Sequence, residues 1–204
     1  KMKLYDNPAA NSPRKVRIFL AEKNITDIEI IKIDLMQGEH KTPEYKAIAP
    51  NSRIPALKLD DGTVIMESTA ICRYLESLYP EPNLFGESPM EIASIEMWQC
   101  RVYNELMLPL AMGFRHLHPA MAGMENQNAE YGESQKQVAI KSLKYFNGVL
   151  AKTQFVAGDR YTFADIQMIT TTDFFLKLNR LELSEYPELQ RHAELMSTRE
   201  SFTA

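Results

Sequence analysis

A chain of 204 residues that is 45% hydrophobic can bury one large core or two small ones. Its 23 basic and 27 acidic residues are scattered and leave a net charge of −4, so the massed basic footprint of a nucleic-acid binder is absent and nucleic acid is not an expected partner. No apolar run approaches the ~20 residues that span a bilayer, and the opening KMKLYDNPAA has no signal-peptide core, so a cytoplasmic protein with no membrane contact is expected.

In chain order, Lys3 to Tyr5 reads as a short first strand and Asn7 to Asn11 as the loop leaving it. Ser12 is a natural N-cap with Pro13 at the first helical position, and Val16, Phe19 and Leu20 form a buried stripe before Lys23-Asn24 closes the helix. The β-rich run Ile28 to Ile33 then completes a strand, helix, strand order, whose usual outcome is parallel pairing through a right-handed crossover. Two further apolar runs, Ala56 to Leu59 and Thr63 to Met66, are joined by Asp60-Asp61-Gly62 and predict an antiparallel hairpin. Ile71, Tyr74, Leu75 and Leu78 fall at helical spacing after a polar start at Glu67-Ser68-Thr69.

The stretch from Gly38 to Leu75 reads as a site. It holds the pair His40-Lys41, a proline-bracketed loop from Pro50 to Pro55 containing Arg53, and the helix start at Glu67-Ser68. The first amides of a helix lack partners and its dipole favours negative charge, so a ligand carboxylate could sit on the Ser68 N–H and hydroxyl while Glu67 pairs with an amine. The plainer alternatives are a helix cap at Ser68 and a solvated turn at His40-Lys41.

Tyr79-Pro80-Glu81-Pro82-Asn83 suits a semi-rigid linker, which puts a first domain at 1–79, a linker at 80–88 and a helical domain at 89–204. A long helix is expected from Pro89, with Ile92, Ile95 and Trp98 on its apolar side and a kink or end at Pro109 and Gly113. Residues 122–131 read as a polar connection to a helix over Gln135 to Lys152, with Val138, Leu143, Phe146, Val149 and Leu150 inward. Thr162 and Asp165 form a capping-box pattern with a Tyr161–Ile166 staple, and a last helix covers Pro187 to Met196. Cys72 and Cys100 lie outside any CxxC or metal-ligand spacing and read as reduced core cysteines, so no metal is expected.

A βαβ then ββα domain, a proline linker, a helical domain and this capping box together resemble the cytosolic glutathione transferase family, particularly its phi, theta and bacterial members. The resemblance rests on Gly38-Glu39-His40-Lys41, Arg53-Ile54-Pro55-Ala56-Leu57, Glu67-Ser68-Thr69-Ala70-Ile71 and Thr162-Phe163-Ala164-Asp165-Ile166. It implies an α/β thioredoxin-like N-terminal domain followed by an all-α bundle, glutathione as co-substrate, a homodimer and a detoxifying transferase. Pro55 would be a cis-proline exposing the Ile54 backbone to the cysteinyl unit of glutathione. Glu67 and Ser68 would hold the γ-glutamyl end, and His40, Lys41 and Arg53 the glycine carboxylate, with Arg53 replacing a commoner glutamine.

One departure bears on the chemistry. Ala10 stands where phi-type members carry a catalytic serine, and the loop has no cysteine. Ser12, followed by Pro13 as in the Cys-Pro of omega-type relatives, is placed ahead of Asn11 as the group that stabilises the glutathione thiolate. The attacking sulfur is then glutathione's own, aimed at an apolar electrophile, with peroxide reduction as a side activity. Tyr103, Met107, Met112, Phe114 and Arg115 are the candidates for the electrophile pocket. A non-catalytic glutathione-binding module and a glutathione-dependent isomerase or disulfide reductase are the competing readings.

Overall fold

In the computed structural model, which describes residues 1–204, Lys3–Asp6 forms strand β1 and Asn11–Glu22 forms helix α1. Strand β2 follows at Glu29–Lys32, a short helix α2 at Pro43–Lys46, strands β3 and β4 at Ala56–Lys58 and Val64–Met66, and helix α3 at Ser68–Leu78. The sheet order is β2-β1-β3-β4; β1 and β2 are parallel and the other two pairings antiparallel. This is the thioredoxin-like arrangement that the family resemblance implies. Leu4 and Leu57 of the central strands are fully buried, as are Val16 and Phe19 of α1 and Ile71, Cys72 and Leu75 of α3. On the same sheet a second apolar cluster gathers Tyr5, Ile33, Tyr45, Ala49 and Ala56.

The start of α1 differs from the expectation. Its N-cap is Ala10, in extended conformation and with no side-chain cap, so Ser12 is the second helical residue and not the cap. Pro13 still lies in the first turn, where its missing N–H leaves nothing unpaired. The buried face of α1 is also wider than the predicted stripe, taking in Lys15 and Ile18. Its C-cap Lys23 turns inward, and the ammonium donates to the carbonyls of Tyr79 and Pro82, each at 2.7 Å.

The N-terminal unit comprises Lys1–Asn83 and also Glu200–Ala204, so the final five residues, which the sequence grouped with the helices, pack with the sheet domain. There the Ser201 hydroxyl donates to Glu22 Oε1 at 2.6 Å and the Arg14 guanidinium donates to the Phe202 carbonyl at 2.9 Å. No periodic apolar pattern announces a five-residue tail, because it is held by polar contacts.

The second unit, Leu84–Arg199, is helical. It consists of α4 (Pro89–Val102), α5 (Leu108–Leu117), α6 (Ala129–Leu150), α7 (Phe163–Leu178) and α8 (Pro187–Ser197). Of the expected kink or end at Pro109 and Gly113, no helix end occurs at either residue. A π-helical turn over Tyr103–Met107 separates α4 from α5, and Pro109 lies in the first turn of α5. Proline removes the donor for the carbonyl four residues back, and a widened turn just before it accommodates that loss. Gly113 sits inside α5 for a packing reason: a Cβ there would meet Asn179 Oδ1 at 2.9 Å, while Asn179 Nδ2 donates to the Leu110 carbonyl at 3.0 Å.

Helix α6 begins six residues before its predicted start, because Asn128 caps it by accepting from the Tyr131 N–H at 3.0 Å. Its buried face is Ala139, Leu143, Phe146 and Leu150; Val138 points outward and Val149 is half-buried, correcting two of the five expected inward positions. The central helix α7 is buried from Phe163 to Thr172, and the core around it includes Val102, Leu106, Leu110, Leu143, Phe146 and Leu189. No helix in the protein is long and apolar enough to cross a membrane.

Candidate functional site

The N-terminal unit brings the ends of β1 and β4 to one place, so that α1 and α3 start side by side: the Ser68 hydroxyl donates to the Ser12 carbonyl at 2.8 Å. Neither helix start is capped by a side chain. At α1 the main-chain N–H groups of Asn11 and Ser12 lack intrahelical acceptors, and Pro13 has none to offer. At α3 the same holds for Ser68, Thr69 and Ala70; the first bond is from the Ile71 N–H to the Glu67 carbonyl at 3.0 Å. Two helix dipoles therefore present their positive ends with donors free.

Glu67 takes the N-cap position of α3 at φ 74 and ψ 123. That region is sparsely accessible to a residue with a Cβ, at a cost of about 1–3 kcal/mol, and neither helix nor strand propensity signals it. The turn leaves the Glu67 carboxylate exposed beside the open amides. Asn11 is half-buried, and its Oδ1 is enclosed with no hydrogen-bond partner. Ser12 is exposed.

Lys15, one turn along α1, was missed by the sequence reading because a lone lysine in a helix normally reads as a solvated position. It is 4% exposed. Burial pushes its ammonium down to about 8, against the opposing pull of Cys72 and Glu67. Cys72 is a reduced core cysteine, as expected; burial pushes its thiol well above the ordinary range. Cys100, also reduced, is half-buried and lies within 3.5 Å of Glu96 Oε1.

Beyond the helix starts lies the loop from Pro50 to Pro55. The Ile54–Pro55 peptide is cis, as the resemblance implies, and Glu81–Pro82 is a second cis bond that the sequence did not signal. The Ile54 main chain makes no hydrogen bond within the protein, while its side chain packs on the Tyr5 and Tyr45 cluster. Tyr45 fixes the loop by donating its hydroxyl to the Arg53 carbonyl at 2.7 Å. Burial and the nearby Tyr5 push its phenol up to about 12, so it remains a donor throughout the ordinary pH range. The Arg53 side chain is exposed. His40 and Lys41 lie in a short 3-10 turn, Glu39–Lys41; His40 Nδ1 is enclosed without a partner and Lys41 is exposed.

The five residues named for the electrophile differ in exposure and in their partners. Phe114 lines a cavity of about 290 Å3 with Leu117, His118 and Leu178. Tyr103 is exposed on the π turn, Met107 is buried and Met112 half-buried. Arg115 is engaged by Glu125 at 2.6 Å. Side-chain facing across a π turn does not follow the regular helical period, which is why the sequence grouped them.

The capping box of α7 is a closed counterpart to the open helix starts. Asp165, fully buried, accepts from the Thr162 N–H and the Val156 N–H, both at 2.9 Å, and from His192 Nε2 at 2.8 Å. It is structural, as the sequence predicts.

The profile for the glutathione S-transferase N-terminal domain matches residues 11–78, and that for the C-terminal domain matches residues 105–200. Glutathione S-transferase 2 of Saccharomyces cerevisiae is 39% identical over 194 residues, covering 94% of this chain and 83% of that protein. The crystal structure of Gtt2 from Saccharomyces cerevisiae superposes with a TM-score of 0.88 at 37% identity, covering 98% of both chains. A glutathione S-transferase domain-containing protein from Marinobacter aquaeolei superposes with a TM-score of 0.88 at 35% identity, covering 98% of this chain and 99% of that one. With a thioredoxin-like unit, a helical unit and full-length relatives all in agreement, the chain belongs to the glutathione S-transferase family.

Proposed function

We propose that this glutathione transferase holds its co-substrate mainly through main-chain groups of the N-terminal unit. The observation that carries the reading is the pair of uncapped helix starts, α1 and α3, tied together by the Ser68–Ser12 bond. Glutathione has a carboxylate and an amine at its γ-glutamyl end, a thiol in the middle and a carboxylate at the glycine end. The γ-glutamyl carboxylate fits the amides of Ser68 and Thr69, with the Glu67 carboxylate meeting the amine. The unpaired Ile54 backbone suits antiparallel pairing with the cysteinyl unit, and His40, Lys41 and Arg53 supply positive charge for the glycine carboxylate.

The thiol then falls at the start of α1. An ordinary thiol has a pKa of ~8.5, and the N–H groups of Asn11 and Ser12 with the helix dipole favour its ionised form. Asn11 adds its side-chain amide. This places Asn11 ahead of Ser12, because Ser12 contributes no cap and its carbonyl already serves Ser68. The thiolate attacks the electrophilic carbon, forming the S–C bond as the leaving group departs with the electron pair; positioning and thiol ionisation supply most of the rate. Electrophile recognition falls to the helical unit, where Tyr103 and Phe114 offer accessible rings and Met107 and Met112 adaptable thioethers; Arg115, held by Glu125, contributes least.

Retention on immobilised glutathione tests binding, and turnover of chlorodinitrobenzene tests conjugation. Binding without turnover of any electrophile tried would favour the module reading instead. The active form is a homodimer, and sedimentation showing a monomer at micromolar concentration would contradict that.

A further inference from the structure

Residues 7–10 carry the chain from β1 to the open start of α1, and their main-chain groups can be followed one by one. The Ala9 N–H donates to Asn7 Oδ1 at 2.9 Å and the Ala10 N–H to the Asn7 carbonyl at 3.0 Å. The Asn7 side-chain amide donates in turn to the Ile33 carbonyl, just past β2, at 2.8 Å. The donors of Ala9 and Ala10 are thus engaged inside the loop, and the next in line, those of Asn11 and Ser12, are the open ones.

The carbonyl side of this loop is held by one residue. Arg17, in the second turn of α1, reaches back along its own helix. Its Nη1 pairs with Asp6 Oδ1 at 2.6 Å and donates to the Asn7 carbonyl at 3.2 Å, and its Nη2 donates to the Pro8 carbonyl at 3.1 Å. Its Nε donates to the Ala204 carbonyl at 3.3 Å, in the tail that Arg14 grips through the Phe202 carbonyl and ring. The carboxylate that anchors the fork is itself buried, Asp6 being 2% exposed. A planar guanidinium has donors in fixed directions and can serve a carboxylate and two successive carbonyls together, whereas an ammonium is a point charge. A carbonyl bonded to Arg17 cannot swing toward the thiol, where its negative end would oppose ionisation. The rigid peptide planes leading into Asn11 are fixed in orientation by the same bonds.

We propose that Arg17 is a positioning residue for the transferase reaction: by clamping residues 6–8 it aims the open amides of Asn11 and Ser12 at the glutathione sulfur. It acts through the loop and not by contact with glutathione. This role rests on the placement of the thiol at the start of α1 proposed above, and adds the side chain that sets the geometry there.

The test is Arg17→Lys, which keeps the charge and loses the fork, read by the ultraviolet absorbance of the thiolate of bound glutathione and by turnover of chlorodinitrobenzene. The bound thiol's pKa should rise by about 1 and kcat at neutral pH should fall about tenfold, returning as the pH is raised past the new pKa. KM for glutathione should stay within about twofold, because the γ-glutamyl end is held at α3. Arg191 supplies a matched control in the helical unit: it pairs with Glu188 at 2.7 Å and donates to the carbonyls of Leu150, Thr153 and Gln154 at 3.0, 3.3 and 3.3 Å. Arg191→Lys should lower Tm as much as Arg17→Lys and leave the thiol's pKa at its wild-type value. Asp6→Asn, which removes the charge that anchors the fork, should raise the thiol's pKa by a smaller amount, and serves in place of Arg17→Lys if that variant does not fold. A thiol pKa that is the same in wild type, Arg17→Lys and Asp6→Asn, but raised in Ala10→Asp, would overturn the role of Arg17 alone. An Arg191→Lys variant that raised the thiol's pKa as far as Arg17→Lys would overturn it too, reducing Arg17 to a general stabiliser. A wild-type value no lower than the ordinary ~8.5 would instead remove the thiol from the start of α1, and the role of Arg17 with it.

Discussion

The two units treat the same physical problem in opposite ways. Every helix start has donors without intrahelical acceptors. In the helical unit these are satisfied from within: Ser88 caps α4, Asn128 caps α6 and Asp165 serves α7. Helix α8, whose own N-cap makes no side-chain bond, borrows Asn147 of α6, which accepts from the Glu188 N–H at 2.9 Å and the Leu189 N–H at 3.3 Å. In the N-terminal unit the two long helices, α1 and α3, begin without any side-chain cap. A capped start contributes stability, and an open one keeps its donors available for an anion. The difference is the basis on which the proposed reading puts the negative groups of glutathione at α1 and α3.

The largest expected effect comes from opening the closed start. Asp165→Ala strands the Thr162 and Val156 N–H groups and His192 in a dry core, at a cost of about 4 kcal/mol for several buried donors left unmet. Urea midpoints would measure it, and a loss under 1 kcal/mol would remove the distinction between closed and open starts.

Next is the charge inside α1. The native Lys15 loses its proton near pH 8 while the unfolded lysine keeps it to about 10.5, so through that window the unfolded state binds more protons and stability rises with pH. Wild type measured against Lys15→Met should therefore gain on the order of 3 kcal/mol between pH 8 and 10.5. A flat difference across that range would mean that Lys15 is solvated.

Closing an open start should have the reverse signature. Ala10 already has the extended conformation of a capping residue, so Ala10→Asp can accept from the first-turn amides of α1. It should raise stability by about 0.5–1 kcal/mol and lower kcat/KM by roughly tenfold or more, since the new carboxylate occupies the donors and repels the thiolate. Equal turnover in the stabilised variant would sink the proposed role of these amides. The smallest effect on turnover is at the joint between the two starts: Ser68→Ala removes the bond to the Ser12 carbonyl, at a cost of about 1 kcal/mol in stability, and should raise KM for glutathione less than tenfold with little change in kcat.

What was legible in the sequence follows the same division. The sequence of strands and helices along the N-terminal unit, the hairpin, the proline-bracketed loop and the α7 capping box were readable because each depends on residues a few positions apart. The start of α1 was misplaced because Ser12-Pro13 is a good local N-cap signal, whereas the helix begins at Asn11 behind an Ala10 that has no side chain to mark it as a cap. Lys15, the left-handed Glu67 and the π turn before Pro109 were invisible for a related reason: each is held against local preference by neighbours distant in sequence. The candidates for glutathione binding could be named because their motifs are contiguous. The facing of the electrophile candidates was not legible, because it depends on how α4 passes through the π turn into α5.

The most direct test is the pKa of the glutathione thiol bound to the protein, followed by the ultraviolet absorbance of the thiolate in wild type, Ala10→Asp, Asn11→Ala and Ser12→Ala. The account predicts a value below the ordinary ~8.5 in wild type, a rise in Asn11→Ala, little change in Ser12→Ala and the largest rise in Ala10→Asp. A bound thiol whose pKa is the same in wild type and Ala10→Asp would contradict it.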